Sequence, residues 1–254
     1  TVALLLNDEV TVISLKTFTV ADHYNKTEAD VLLAAKAPLA SPVFTGNVSH
    51  GDNVKAKFGT GNDLEIFHDG SHSRIKDVGT GHLVLSGGEV HFNNSDNTSN
   101  HLVINSAGIV TKPLQPAFLA TKTSTASNAA INTDHTVLFP TEVYDQNSDF
   151  SSNTFTAPVT GKYLLTASLR LDQVDEAANY YLLGIIGSNR SFREIWNPGG
   201  ITDNDSYHTL QVSGLLDMDA NDTAIVRFNQ NAGNPQVDQD GNAEMSYFCG
   251  HLVC

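Results

Sequence analysis

The chain has 254 residues and a formal charge of −14, with 14 Lys and Arg against 28 Asp and Glu. A negative surface field of this kind repels nucleic acid and anionic lipid, so neither is expected as a partner. Charged residues are 17% and aromatics 8%, while Asn, Ser and Thr together make up roughly a quarter of the chain, a composition that favours turn-rich β structure over an α/β enzyme.

No aliphatic run, Ala3-Leu4-Leu5-Leu6 included, approaches the roughly 18 apolar residues that a membrane-spanning helix needs. No basic stretch precedes a hydrophobic one as an export signal would require. The sequence opens on Thr1 and its methionines are Met218 and Met245, so a processed or partial product is expected, its attachment segment lying elsewhere. Cys249 and Cys254 are too few and too close to form a disulfide framework.

Residues 1–24 alternate loosely, for example Val10, Val12 and Ser14 against Thr11, Ile13 and Leu15, and read as a short strand segment. A helix follows over Thr27–Ala37, with Thr27 as its cap and Glu28 and Asp30 in the first turn, where the helix dipole favours acids. Pro38 and Pro42 close it. Its stripe, Val31, Leu32, Ala35 and Leu39, is too narrow for an isolated helix of about three turns, which is marginal in water. Packing on its own sheet is one solution; a short bundle with copies of itself is favoured, which makes those four residues candidate trimer contacts.

Residues 47–115 form a second region of short alternating runs cut by glycine turns. Strands are expected at Leu64–His68, Arg74–Val78, His82–Leu85, Glu89–Phe92 and His101–Asn105, and Gly59-Thr60-Gly61 recurs as Gly79-Thr80-Gly81. Each strand carries only two or three large apolar side chains, so the region is expected to gain a core by stacking repeated units, in an elongated shaft.

From residue 116 to 254 the strands lengthen. Tyr163, Leu165, Ala167, Leu169 and Leu171 share one face, as do Leu210, Val212, Gly214 and Leu216, and Ala224, Val226 and Phe228. A compact sandwich or jelly roll is expected. Tyr180–Ile186 is apolar on both faces, which suggests a neighbouring subunit on one of them and makes Tyr181, Leu183 and Ile185 candidate trimer contacts.

Two resemblances follow from these residues. Lys36-Ala37-Pro38-Leu39-Ala40-Ser41-Pro42-Val43-Phe44-Thr45-Gly46, after a short helix, resembles the junction between coiled coil and β-rich shaft in bacteriophage tail fibres. Phe67-His68-Asp69-Gly70-Ser71 and Ile75-Lys76-Asp77-Val78-Gly79-Thr80-Gly81 are similar to segments of marine-phage fibres. The last 140 or so residues, through Ala117-Phe118, Phe155-Thr156-Ala157-Pro158-Val159-Thr160-Gly161-Lys162-Tyr163 and Ser246-Tyr247-Phe248-Cys249-Gly250-His251-Leu252, resemble the complement-component-1q and tumour-necrosis-factor jelly roll. That resemblance implies a ten-stranded fold and a tight homotrimer; Cys249, where the family more often has serine, and a long polar insertion at Ser188–Ser206 depart from its pattern. The fold class expected is therefore mainly β: a trimeric coiled-coil helix and junction over 25–46, a shaft over 47–115 and a jelly-roll head over 116–254.

Motifs for chemistry are weak. Asp172, Asp175 and Glu176 cluster after a strand end, where turns favour such residues anyway, and Asp217–Asp222 lacks the glycine and glutamate of a calcium loop. Asp238–Glu244 is oxygen-rich and reads as a solvated turn. His68 and His72 flank Asp69-Gly70, and without an H-x-H pair no metal and no cofactor are expected. The most informative segment is Ser188–Tyr207, with the single Trp and with arginines and amides of the kind found on recognition surfaces. Arg190, Arg193, Trp196, Asn197, Asp203, Asn204, Asp205 and Tyr207 are the candidate receptor contacts.

The function expected is that of a non-enzymatic homotrimeric tail fibre located in the virion, binding host surface polysaccharide or an outer-membrane protein and joined to other tail or baseplate proteins. The rivals are a secreted or cell-surface adhesin of the complement-1q type and a polysaccharide-degrading tailspike.

Overall fold

The computed structural model describes residues 13, 24–34, 41–201 and 207–254, so the expected strand segment over 1–24 lies almost wholly outside the described residues. The chain divides into two compact units, Thr1–Val84 and Leu85–Cys254.

In the first unit α1 spans Lys26–Ala34. Its cap is Asn25 and not Thr27: Asn25 Oδ1 accepts from Glu28 N at 2.9 Å while Asn25 N donates to Glu28 Oε2 at 2.8 Å. This reciprocal box satisfies two orphan donors at once, which Thr27 at its position cannot do. No α1 residue is buried. Val31 and Leu32 stand 65% and 44% exposed, as an uncovered stripe requires; Ala35 and Leu39 lie outside the described residues.

β1 (Ala56–Phe58), β2 (Leu64–His68) and β3 (Ser73–Asp77) form an antiparallel three-stranded sheet. The register pairs Ala56 with Ile66 and Ile66 with Ile75, and Phe58 with Leu64. One face therefore carries Ala56, Phe58, Leu64, Ile66 and Ile75, with Asp77 at its end, and the other carries Lys57, Glu65, Phe67, Arg74 and Lys76. On that charged face Glu65 is 7% exposed and pairs with Lys55 at 2.7 Å and Lys57 at 3.7 Å. The β2–β3 turn is built on Asp69, whose carboxylate accepts from Ser71 N and His72 N and pairs with the Arg74 guanidinium. The Arg74 bond, with the His72 amide next, holds the Asp69 pKa down at about 2.

The two Gly-Thr-Gly sequences do not mark successive stacked units. A Cβ on Gly59, Gly61 or Gly79 would come within 2.8, 2.6 and 3.0 Å of the Asp63 side chain, so these three are glycine because both loops close on one aspartate, whereas Gly81 faces open space. His82–Leu85, expected as a strand, carries no ladder; Leu83, Val84 and Leu85 project at 46%, 74% and 60% exposure.

The second unit opens with β4 (Val90–Asn93), β5 (Asn100–Ile104) and β6 (Val110–Thr111), another three-stranded sheet. Val90, Ile104 and Val110 align, and Phe92 pairs with Leu102, which repeats the one-sided apolar design. This sheet, within the expected shaft region, lies in the same compact unit as the strands of the head. Gln146 Nε2 donates to the carbonyls of Lys112 and Pro113, and Asn147 Nδ2 to that of Leu114, tying the linker to the sandwich.

The head comprises β7 (Ala117–Thr121), β8 (His135–Thr136), β9 (Thr141–Asp145), β10 (Phe150–Ser151), β11 (Thr154–Thr156), β12 (Gly161–Asp172), β13 (Tyr180–Gly187), β14 (Ser191–Trp196), β15 (His208–Met218), β16 (Thr223–Asn231), β17 (Asp238–Gln239) and β18 (Tyr247–Leu252). One sheet runs β15-β12-β18-β7-β9 with β17 beside β12; the other runs β10-β11-β16-β13-β14 with β8 beside β16. The chain passes back and forth between the sheets, through β9, β11, β12, β13, β15, β16 and β18, in the winding of a jelly roll. Each ordered path has five strands, plus a two-residue strand at its side.

The alternation read from the sequence sets the core. Tyr163, Leu165, Ala167, Leu169 and Leu171 are fully buried, as are Ala224, Val226 and Phe228. Gly214 keeps its glycine because a Cβ there would overlap the Phe192 ring. On β13 the assignment of faces needs correction. Tyr181, Leu183 and Ile185 are 0% exposed within a single chain, in the sandwich core. Side chains on a strand point alternately to opposite faces, so the residues turned outward are Tyr180, Leu182 and Ile186, each half-buried.

Candidate functional site

Within the segment 188–207, expected as a loop, the residues Ser191–Trp196 are a strand. Ser191–Trp196 pairs along its length with β13 and forms the sheet edge β14. This strand separates the candidate receptor residues, because six residues of strand span about 20 Å. Arg190 lies at the β13–β14 turn, where its Nε donates to Asp217 Oδ1 at 3.0 Å. Arg193 is exposed at mid-strand, paired in register with Gly184. Trp196 ends the strand.

Trp196 does not stand as a free platform for a sugar. Its ring stacks on Tyr181, with centroids 5.6 Å apart, and on His208, 3.5 Å apart with planes inclined by 9°. Asn197 turns inward on its own loop: its Oδ1 accepts from Gly199 N at 2.8 Å, an Asx turn. Tyr207 is exposed beneath the Arg170 guanidinium at 3.8 Å, a cation–π contact, and Arg170 also reaches Asp240 at 3.2 Å. Asp203, Asn204 and Asp205 lie outside the described residues.

The stack makes His208 a reporter of this end of the head. Burial pushes its pKa below the ordinary imidazole value of 6.5, with the Glu194 charge opposing. A folded pKa below the unfolded one means that the neutral ring stabilises the fold fully above about 6.5, and that this contribution is lost as pH falls from there through the lower folded value. Thermal melts should therefore show the melting temperature falling on acidification from neutrality, and His208→Gln should flatten that part of the profile. An unaltered slope in the variant would assign the acid sensitivity to other groups.

The remaining clusters are structural. Asp175 is 1% exposed; its Oδ1 accepts from Ala177 N at 3.0 Å and its Oδ2 from Asn234 N, so it ties two loops together. Asp217–Asp222 is the tight β15–β16 turn, with Asn221 at φ 74° and Asp222 Oδ2 accepting from Asp219 N at 2.9 Å. His68 Nδ1 contacts Ser73 Oγ at 3.3 Å, and His72 approaches Asp69 at 3.6 Å. No group of three or more metal-ligating side chains is gathered among the described residues. A cleft of about 570 Å³ opens beside Leu114, Pro116, Val159 and Val253. On its wall is Asp149, whose buried Oδ2 has no hydrogen-bond partner and whose pKa is raised by burial and by Asp145.

Residues missed in the sequence lie on the outer face of β13, β14 and β16. Gly184 is flanked in register by Arg193 and by Arg227, and Leu182, Ile186, Ile195 and Ile225 lie in the rows to either side. The signal was the second periodicity of each strand, the residues left over after the core face has been taken out.

No family model and no curated protein matches the chain. Among solved structures, the globular domain of zebrafish complement 1qA protein is similar over 55% of this chain and 98% of its own, at 16% identity and a TM-score of 0.42. A structure of murine APRIL is similar over 55% of this chain and 99% of its own, at 14% identity and a TM-score of 0.40. The jelly-roll assignment stands on the strand orders themselves.

Proposed function

We propose that the chain is part of a non-enzymatic, homotrimeric attachment fibre of a virion, in which the single-layer sheets are completed by copies of the same chain and the jelly-roll head contacts a host surface. The observation that carries this reading is the apolar face of β1–β3. Phe58, Ile66 and Ile75 stand 51%, 42% and 60% exposed on a three-stranded sheet that has no second sheet against it among the described residues of its unit. A sheet needs its apolar face covered. The pattern recurs at Phe92 and Val110, 52% and 55% exposed, and on α1.

Self-association suits these surfaces because their charged groups are segregated. A chain of −14 repels its copies over most of its surface, yet the β1–β3 apolar face carries one charged strand residue, Asp77 at its end, while Lys57, Glu65, Arg74 and Lys76 point away from it. Three copies on one stalk would also bind repeated surface groups by avidity. The resemblance to phage fibres supports the virion setting, and the resemblance to the complement-1q head supports the trimer.

Sedimentation equilibrium of the whole chain should give about three times 27.3 kDa. A stable species of one chain mass would overturn the fibre reading.

A further inference from the structure

The outer face of the head sheet β10-β11-β16-β13-β14 carries a row that the sequence does not show as a unit. Gly184 on β13 pairs with Arg193 on β14 and with Arg227 on β16, so the two arginines flank a glycine on one face. Neighbouring strands lie about 4.8 Å apart, which starts the two guanidinium stems roughly 10 Å from each other. A Cβ on Gly184 would meet Arg193 Cγ at 3.2 Å; the glycine lets the Arg193 stem lie down across the sheet.

The rows on either side each carry an aliphatic pair, Ile195 with Leu182 on one side, where Asn229 completes the row, and Ile186 with Ile225 on the other, where Ser191 does. Ile195 is 58% exposed. The ionisable groups facing the row are few. Asp134 meets Arg227 at 3.5 Å and accepts from Asn229 Nδ2 at 3.0 Å, while His135 on β8 pairs in register with the buried Phe228 and so lies on the core side, leaving Thr136 beside Arg227. Arg193 has no carboxylate within ion-pair reach among the described residues. In a chain with twice as many acids as bases, this face carries two guanidiniums against one carboxylate.

We infer that this row is a binding site for a linear anionic polysaccharide, its guanidiniums taking carboxylate or sulfate groups and its aliphatic rows taking the C–H faces of the intervening sugar rings. The inference rests on the attachment reading above and names the ligand class. Guanidinium presents a planar fork of donors that matches either oxyanion. A flat face without a central aromatic pocket is poorly suited to anchoring a folded protein partner. It does suit an extended chain whose charges recur on alternate sugars.

The test uses the whole chain with immobilised alginate as the carboxylate probe, dextran sulfate as the sulfate probe and neutral dextran as control. Binding to one or both polyanions is expected, weaker at high salt, with no binding to neutral dextran. Arg193→Ala and Arg227→Ala should each weaken binding about tenfold, the value of one charge-assisted contact, with unchanged melting. Full polyanion binding by either variant would place the site elsewhere and overturn the inference. So would a fall in oligomeric mass on Leu182→Asp, which would make this face a contact between copies. If the wild-type chain ignores both polyanions yet still competes for adsorption to host cells, the polysaccharide site is lost and the attachment reading survives. If polyanions bind through both arginines to a protein of one chain mass, the fibre reading is lost and the site survives.

Discussion

Phe118→Ala should lower the stability of the head by about 3–5 kcal/mol, the range for removing a large aromatic from a packed core. Phe118 is 1% exposed and stacks on Phe150 and on Phe155, both with ring centroids 4.9 Å away, while Phe248 meets its edge at 5.1 Å. These rings come from four strands, β7, β10, β11 and β18, and from both sheets. Truncation leaves three rings without a common partner, and the neighbours cannot collapse inward without moving strands of two sheets together. A loss of this size in a unit of this length should appear as a melting temperature lower by on the order of 10 °C. Phe118→Leu, which keeps most of the volume, should cost clearly less. Equal losses for the two variants would mean that filling the space is not enough and that the stability resides in the ring contacts themselves.

The second large effect is expected in the first unit. Ile66→Asp combined with Ile75→Asp places two carboxylates on the apolar face of β1–β3, where the register sets these positions side by side. If copies of the chain cover that face, each carboxylate must be buried without a partner, at an effective penalty of several kcal/mol per ion. The sheet should then open, and limited proteolysis should cut within residues 41–84 while the head persists as a resistant fragment with its own melting transition. The wild-type chain should resist cleavage there. Equal resistance of the variant would show that the face is open to water, and with it the strongest support for shared sheets would go.

Much of the head could be read from the sequence because its strands are long and buried on one side. The run from Tyr163 to Leu171 alternates so regularly that its core face was identified residue by residue, and all five inward residues are buried. β13 failed on the same rule. Tyr180–Ile186 is apolar on both faces, so alternation had no polar partner to mark the outer side, and the three residues assigned to a subunit contact are those that fill the core. The segment from Ser188 to Tyr207 misled for another reason. Arg193 and Glu194 sit among Phe192, Ile195 and Trp196 in an edge strand, and at an edge polar side chains intrude on both faces, so the pattern reads as a loop. The cap of α1 and the purpose of the Gly-Thr-Gly sequences depended on contacts with Glu28 and Asp63 that periodicity does not encode.

The recognition surface was harder to see. Arg193 was picked out for its side chain, but its partner Arg227 lies on β16 and the glycine between them on β13, and only register brings the three into line. Such a site is written in pairing and not in spacing along the chain.

The order of strands in the β15-β12-β18-β7-β9 sheet also bears on how the protein is made. β18 lies between β12 and β7, yet it is the last strand in chain order. Until residues 247–252 leave the ribosome, β7 with β9 and β12 with β15 are two separate half-sheets, each with an open edge. Synthesis therefore passes through a vulnerable interval, with long-range closure still to come and edges ready to pair with the wrong chain. When several copies are translated together, joining of the half-sheets competes with exchange between chains. A nascent product halted before Tyr247 keeps most of its apolar residues but cannot close the sheet.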